Sequence, residues 1–466
     1  LSTLPQGESR ALNDGLPTPQ RYWAALTILL GIGICVLDAA MINVALPQIA
    51  LTLSVSAAQS VWLVNAYGLA VAMTLLPLAS MAERHGFKRV FAAGLTIFML
   101  GALASALAPN FWVLLIARIA QALGASAIMC LFGGLMRHIY PTHALARGIS
   151  VNAMTVAVTS VIGPTLGSLI LTIADWRWIF LAVIPLGAIL AWSLKYLPDV
   201  PKVNRRFDQM AAALAALTIA AFITALNAMA ANTGLAVVLF VVTVFLAIPL
   251  VRRSLRQEAP LLPLDLLRIT TIRSAVLASF SSFGAQMATF VSLPFYLMVT
   301  LERDALSVGL LMAGWPLGAA VMALIASYLT ERYPVAVLCA IGAAAMALGT
   351  TALALLPLLG FSGQSDSALF GAMVLAGVGF GFFQTPNNRA LLGAAPKARA
   401  SAIGGVQALT RVLGQTVGGA IVATVFILSL EHGPRLGLMV GTVFALLALV
   451  INVRRHLASQ RMGQLT

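Results

Sequence analysis

The chain has 466 residues, 60% of them hydrophobic and 9% charged, with a net charge of +14. Soluble domains carry roughly 25% charged residues, so no soluble fold covers this much apolar surface and the solvent has to be lipid. Nucleic acid does not explain the basic excess, because lysines and arginines fall between apolar runs rather than in one stripe.

Residues 1–21 are polar, too hydrophilic for a cleaved signal peptide, and form a tail. Runs of about 20 apolar residues, each long enough to span a bilayer, then succeed one another. The first, 22–46, holds Asp38, the one acidic residue convincingly inside a span, followed by Asn43. A carboxylate at membrane depth costs roughly 2.5–3.5 kcal/mol on insertion scales and marks a functional position. Its bland alternative is a cap or a helix–helix hydrogen bond. The second run, 59–82, carries Asn65 and Tyr67 and leads into Glu83, Arg84, Gly86, Lys88 and Arg89. After the third, 89–108, the fourth, 111–136, contains Arg118, the natural partner of Asp38 because a guanidinium keeps its charge at working pH. The fifth, 147–173, contains Gly163, Pro164 and Gly167, which allow close helix approach and a bend. The sixth covers 178–197.

Two further runs, 209–231 and 234–251, precede a short apolar segment, 260–268, expected as a helix lying on the membrane surface. Six more follow. The ninth, 272–300, includes Gln286 and Tyr296, and the tenth, 306–330, includes Trp315. The eleventh is 334–358. The twelfth, 367–391, places Phe382, Phe383, Gln384, Asn387 and Asn388 around Pro386; amides in a span need polar partners or water, so this stretch reads as a substrate-cavity wall. Arg411, in the thirteenth span (401–429), either reaches the cavity or extends to the surface on its apolar stem. The fourteenth is 433–453. No histidine lies within a span, and Cys35, Cys130 and Cys339 have neither metal nor disulfide spacing, so no metal site is expected.

Alternating the loops puts 23 Lys/Arg on one side and three (Arg177, Arg303, Arg435) on the other, with Arg118 and Arg411 inside spans. The positive-inside rule then sets both termini in the cytoplasm. The halves echo weakly: Ala79–Arg84 after span 2 matches Ala326–Arg332 after span 10, as duplicated bundles would. The expected organisation is a tail (1–21), a six-helix bundle (22–200), two inserted helices with the surface segment (201–271), a second six-helix bundle (272–453) and a tail (454–466). The inserted pair reads as a bystander to transport.

These residues together resemble the major facilitator superfamily. Leu78 to Arg89 is similar to the signature of the loop between spans 2 and 3, with Ala79 and Glu83 where Gly and Asp are usual. Arg118 with Gln121 and Gly124 is similar to the span-4 signature, and Gly163-Pro164 with Gly167 to the antiporter motif of span 5. Leu37 to Pro47 and Asp175 to Phe180 resemble the fourteen-span drug:proton antiporters. The resemblance implies an all-α membrane protein of two six-helix bundles plus two central helices. It also implies proton-coupled export of amphipathic small molecules by rocker-switch alternating access, in a bacterial inner membrane, without enzymatic activity. Asp38 would be the proton site, with Arg118 coupled to it. Glu83, Arg84, Gly86, Lys88 and Arg89 would form a cytoplasmic latch, and Gly163, Pro164 and Gly167 the hinge and seal. The implied partners are small-molecule substrate, protons and lipid; the energy source is the proton gradient, with no cofactor, and the monomer suffices. Transport of one specific metabolite is the alternative.

Overall fold

A computed structural model describes residues 15–141, 145–200, 208–229, 232–256, 264–330, 332–356, 366–394, 400–429 and 432–463. Among these, fourteen helical segments are long and apolar enough to cross a membrane, matching the fourteen apolar runs. Backbone amides in hydrocarbon must be bonded within their own segment, which is why such runs become helices.

The first bundle comprises α1 (Gln20–Thr52), α2 (Ala57–His85), α3 (Phe87–Ala106), α4 (Phe111–Met129), α5 (Phe132–Ile139), α6 (Leu145–Ile173), α7 (Arg177–Leu181) and α8 (Val183–Ser193). The inserted pair is α9 (Gln209–Ala228) and α10 (Thr233–Arg256). The second bundle holds α11 (Thr270–Phe295), α12 (Ala305–Leu329), α13 (Val335–Leu355), α14 (Asp366–Gly393), α15 (Ala400–Leu428) and α16 (Gly433–Gly463). Two spans are broken where one rod was expected. The fourth parts at Cys130–Leu131, just before Gly133-Gly134. The sixth parts at Ala182, where Pro185 cannot donate to the Leu181 carbonyl. Of the expected surface segment, only Leu264–Arg268 is described, as a short 3-10 turn.

Local chemistry sets the helix starts on the side away from the basic loops. Ser56 and Gln59 form a reciprocal capping box on α2, Asn110 accepts from the Val113 N–H, and Asp304 accepts from the Ser307 N–H and hydroxyl. Those Ser307 donors hold the exposed Asp304 carboxyl below its usual value of 3.8. On the basic side, α2 reverses into α3 through Gly86 alone, at φ +101°, a conformation that favours glycine.

Within the first bundle α1 packs on α6, and α4 on α2 and α3; within the second, α14 packs on α12 and α13, and α11 on α15 and α16. Two main seams join the bundles, α2 to α15 and α6 to α12, with smaller contacts from α1 to α11 and α12. The inserted pair is held against the two bundles through α9. α9 packs on both α2 and α15, and the Thr424 hydroxyl donates to the Leu226 carbonyl at 3.1 Å.

Candidate functional site

Asp38 lies midway along α1 and is fully buried. An isolated carboxylate there would cost several kcal/mol, so its partners define the site. Arg118 of α4, also buried, donates from one terminal nitrogen to Asp38 Oδ2 at 2.8 Å. The same nitrogen donates to Gln121 Oε1 at 2.7 Å, and Gln121 Nε2 donates to Asp38 Oδ1 at 3.0 Å. Three side chains thus close a ring in which both carboxylate oxygens are bonded. Gln121 stands in the sequence as part of a motif only; its signal is an amide three residues after Arg118, placing both on one helix face.

Aromatic faces complete the guanidinium's surroundings. Its carbon lies 4.3 Å from the Tyr67 ring centre and 5.6 Å from that of Phe180. On α1, α2 and α4, Arg118 Nε, Tyr67 Oη, Asn65 Nδ2 and Asn43 Oδ1 are buried without a hydrogen-bond partner among the described residues. Buried polar groups are normally satisfied, so the two that lie together at the ring, Arg118 Nε and Tyr67 Oη, suit an exchangeable proton or a polar ligand group.

The Gly-Pro stretch of α6 connects this site to the second bundle. Gly163 and Gly167 lie against Ala40 and Met41, immediately after Asp38 on α1. The next positions round the helix, Pro164 and Ser168, face Gly309 of α12: a methyl added to Gly309 would overlap Ser168 Oγ and come within 2.6 Å of the Pro164 carbonyl oxygen. At the other seam, a methyl on Gly419 would overlap Asn65 Oδ1, and one on Gly68 would meet Thr416 Oγ1 at 2.6 Å. All three approaches lie in the half of the helices away from the basic loops.

The remaining expected residues fall into distinct environments. Gln286 accepts from Gln415 at 3.3 Å, and Tyr296 is buried where α11 gives way to a π turn. Trp315 is buried between Phe290 and Phe380, at ring separations of 5.6 and 5.9 Å, with its indole N–H unpartnered. Gln384 donates to Asn388 at 3.3 Å within α14. The expected cavity wall is only partly a wall. Phe382 packs with Ala326 and Leu338, and Phe383 with Cys339 and Ala278, all inside the second bundle. Asn387 is fully buried and donates to the Ala275 carbonyl at 3.0 Å and Ser279 Oγ at 2.8 Å, tying α14 to α11. Arg411 is half-buried and forms no ion pair with a described residue. Of the latch residues, Glu83, Arg84 and Arg89 are exposed and Lys88 half-buried; none pairs with a described carboxylate or cation. No cluster of metal-ligating side chains occurs among the described residues.

Comparison with known proteins agrees with this architecture. The chain matches the model of the Major Facilitator Superfamily over residues 28–418 and 275–460. It is 41% identical to an uncharacterized transporter of Escherichia coli, YebQ, over 94% of this chain and 96% of that protein. It is 27% identical to the riboflavin transporter RibZ of Clostridioides difficile (89% and 90% covered) and 27% identical to the multidrug resistance protein Stp of Mycobacterium tuberculosis (85% and 74%). A crystal structure of a peptide transporter in complex with sulfate shares the fold, with a TM-score of 0.72 at 16% identity over the full length of both chains. A multi-pass membrane protein with this family match, this fold and these relatives is a secondary active transporter: the chain belongs to the Major Facilitator Superfamily.

Proposed function

We propose that this transporter exports amphipathic small molecules in exchange for protons, by rocker-switch alternating access, with Asp38 as the proton site. The observation that carries the proposal is the buried ring of Asp38, Arg118 and Gln121, in which Asp38 lies on the helix that α6 links to the opposite bundle. A proton on Asp38 removes the charge that holds Arg118 and Gln121. The guanidinium then loses its strongest partner while remaining charged, and the α1 segment beside Gly163 and Gly167 is released to move. With the basic loops in the cytoplasm, the three inter-bundle approaches fall in the outer half of the molecule, the arrangement an inward-open state requires. Each proton carried inward through the potential supplies about 2.3 kcal/mol per 100 mV, which drives efflux. A single carboxylate in the ring suits neutral or singly positive substrates, and one chain holds the complete site, so the monomer suffices.

Transport of one specific metabolite is the second reading, supported by the resemblance to RibZ. Everted vesicles with an imposed pH gradient test both. Asp38→Asn is expected to abolish gradient-driven accumulation of lipophilic cations while the protein stays folded and monodisperse; undiminished accumulation overturns the assignment of the proton site. Strict dependence on a single metabolite, with no lipophilic compound moved, favours the second reading.

A further inference from the structure

The inserted helix α10 has two unlike faces. Ala236, Leu250 and Ser254 are buried, whereas Val241, Phe245 and Ile248 are 63, 72 and 46% exposed. At 3.6 residues per turn, those three exposed side chains share one stripe with Arg252 and Arg256. The stripe is therefore apolar along its length and ends in two guanidinium groups at the basic side.

The third arginine of this helix end is already used. Arg253 projects from the flank of the stripe, and its Nε donates to Asp208 Oδ2 at 2.7 Å, fastening α10 to the start of α9. Arg252 and Arg256 form no ion pair with a described residue. They stand one turn apart, where like charges repel. Pro249, Arg252, Arg253 and Arg256 together border a shallow depression open to the surface. Pro249 has no N–H to offer the ladder there.

We infer that this end of α10 is a binding site for an anionic phospholipid. Its phosphate sits between Arg252 and Arg256, and an acyl chain lies along Ile248, Phe245 and Val241. Charge and shape select this ligand jointly. Two positive charges one turn apart match the charge of a phosphodiester, basic pockets at helix ends hold anionic headgroups, and the exposed apolar stripe runs from the cations toward mid-bilayer, as an acyl chain does. A free phosphate uses only the first of these features.

Native mass spectrometry on the full-length protein, released from detergent with defined lipids, tests the site. Phosphatidylglycerol is expected to remain bound where phosphatidylcholine does not, and millimolar inorganic phosphate or glycerophosphate leaves it in place. Arg252→Gln/Arg256→Gln is expected to lower phosphatidylglycerol retention roughly thirtyfold, and Arg252→Lys/Arg256→Lys to keep most of it. Arg454→Gln, which removes an exposed arginine of α16, serves as the control. Equal retention of both lipids, an equal loss in the Arg454 variant, or displacement by inorganic phosphate overturns the proposal. If the double Gln variant does not stay folded, the Lys pair still decides: a loss of selectivity for phosphatidylglycerol with charge preserved counts against the site.

Discussion

Gln121 donates to Asp38 at 3.0 Å on the oxygen that Arg118 does not use. Each carboxylate oxygen is therefore bonded from a different position of the same helix. Gln121→Leu leaves one buried oxygen unpaired, a cost of about 1–3 kcal/mol. We expect a lower melting temperature and impaired proton-coupled transport, while Gln121→Glu, which adds a second acid beside Asp38, impairs transport more severely. Thermal unfolding in detergent and transport at several imposed pH gradients separate the two effects.

Closure of the half away from the basic loops depends on small residues. Gly309→Leu drives a side chain into Ser168 and the Pro164 carbonyl, so the two bundles can no longer meet there. Transport is expected to fall by at least about tenfold, since displacing packed backbone costs on the order of 1–3 kcal/mol. Labelling of a cysteine introduced near Ser168 from the side away from the basic loops should rise in parallel. Unchanged labelling would mean that the seam tolerates the bulk.

Asn65 and Gly419 offer a way to fasten the same closure. The ideal Cβ position on Gly419 lies 3.3 Å from Asn65 Cγ, so paired cysteines fall close to disulfide range. In a background with Cys35, Cys130 and Cys339 replaced, Asn65→Cys/Gly419→Cys is expected to cross-link under mild oxidation and to stop transport. A reductant should restore it. Cross-linking without inhibition would show that this seam stays closed throughout the cycle.

Asp304 provides a pH-dependent test outside the membrane. Its carboxyl is held below 3.8 by the Ser307 hydroxyl and N–H, so its contribution is present at neutral pH and lost as pH falls through that depressed value. Asp304→Ala should destabilise the protein by about 1 kcal/mol. The difference from wild type should shrink on acidification, read as converging melting temperatures.

Asn387 should behave as a strut, unlike a substrate contact. Removing it leaves the Ala275 carbonyl and Ser279 hydroxyl without their shared donor. Asn387→Ala is expected to lower stability by about 1–3 kcal/mol and leave the order of substrate preference unchanged. A changed preference at unchanged stability would return this side chain to the cavity.

The contrast between Asp38 and Asn387 marks what a sequence can convey. The spans follow from length and hydrophobicity, which are local, and the Asp38–Arg118 pair follows because opposite charges in hydrocarbon have few alternatives. Rotation of a helix about its own axis is another matter. α14 is apolar nearly all round, so no stripe distinguishes the face toward a cavity from the face toward α13. Phe382, Phe383 and Asn387 consequently read as wall when they pack inward. The same holds for α9: an apolar helix announces that it spans, and its neighbours are settled only by packing.

That packing makes the two seams unequal. α9 packs on both α2 and α15, whereas among the described residues no inserted helix packs on α6 or α12, which carry Met154, Val158, Val321 and Leu324 exposed. The two lines of contact between the bundles therefore present different surfaces to the acyl chains: one carries an extra helix and the other does not.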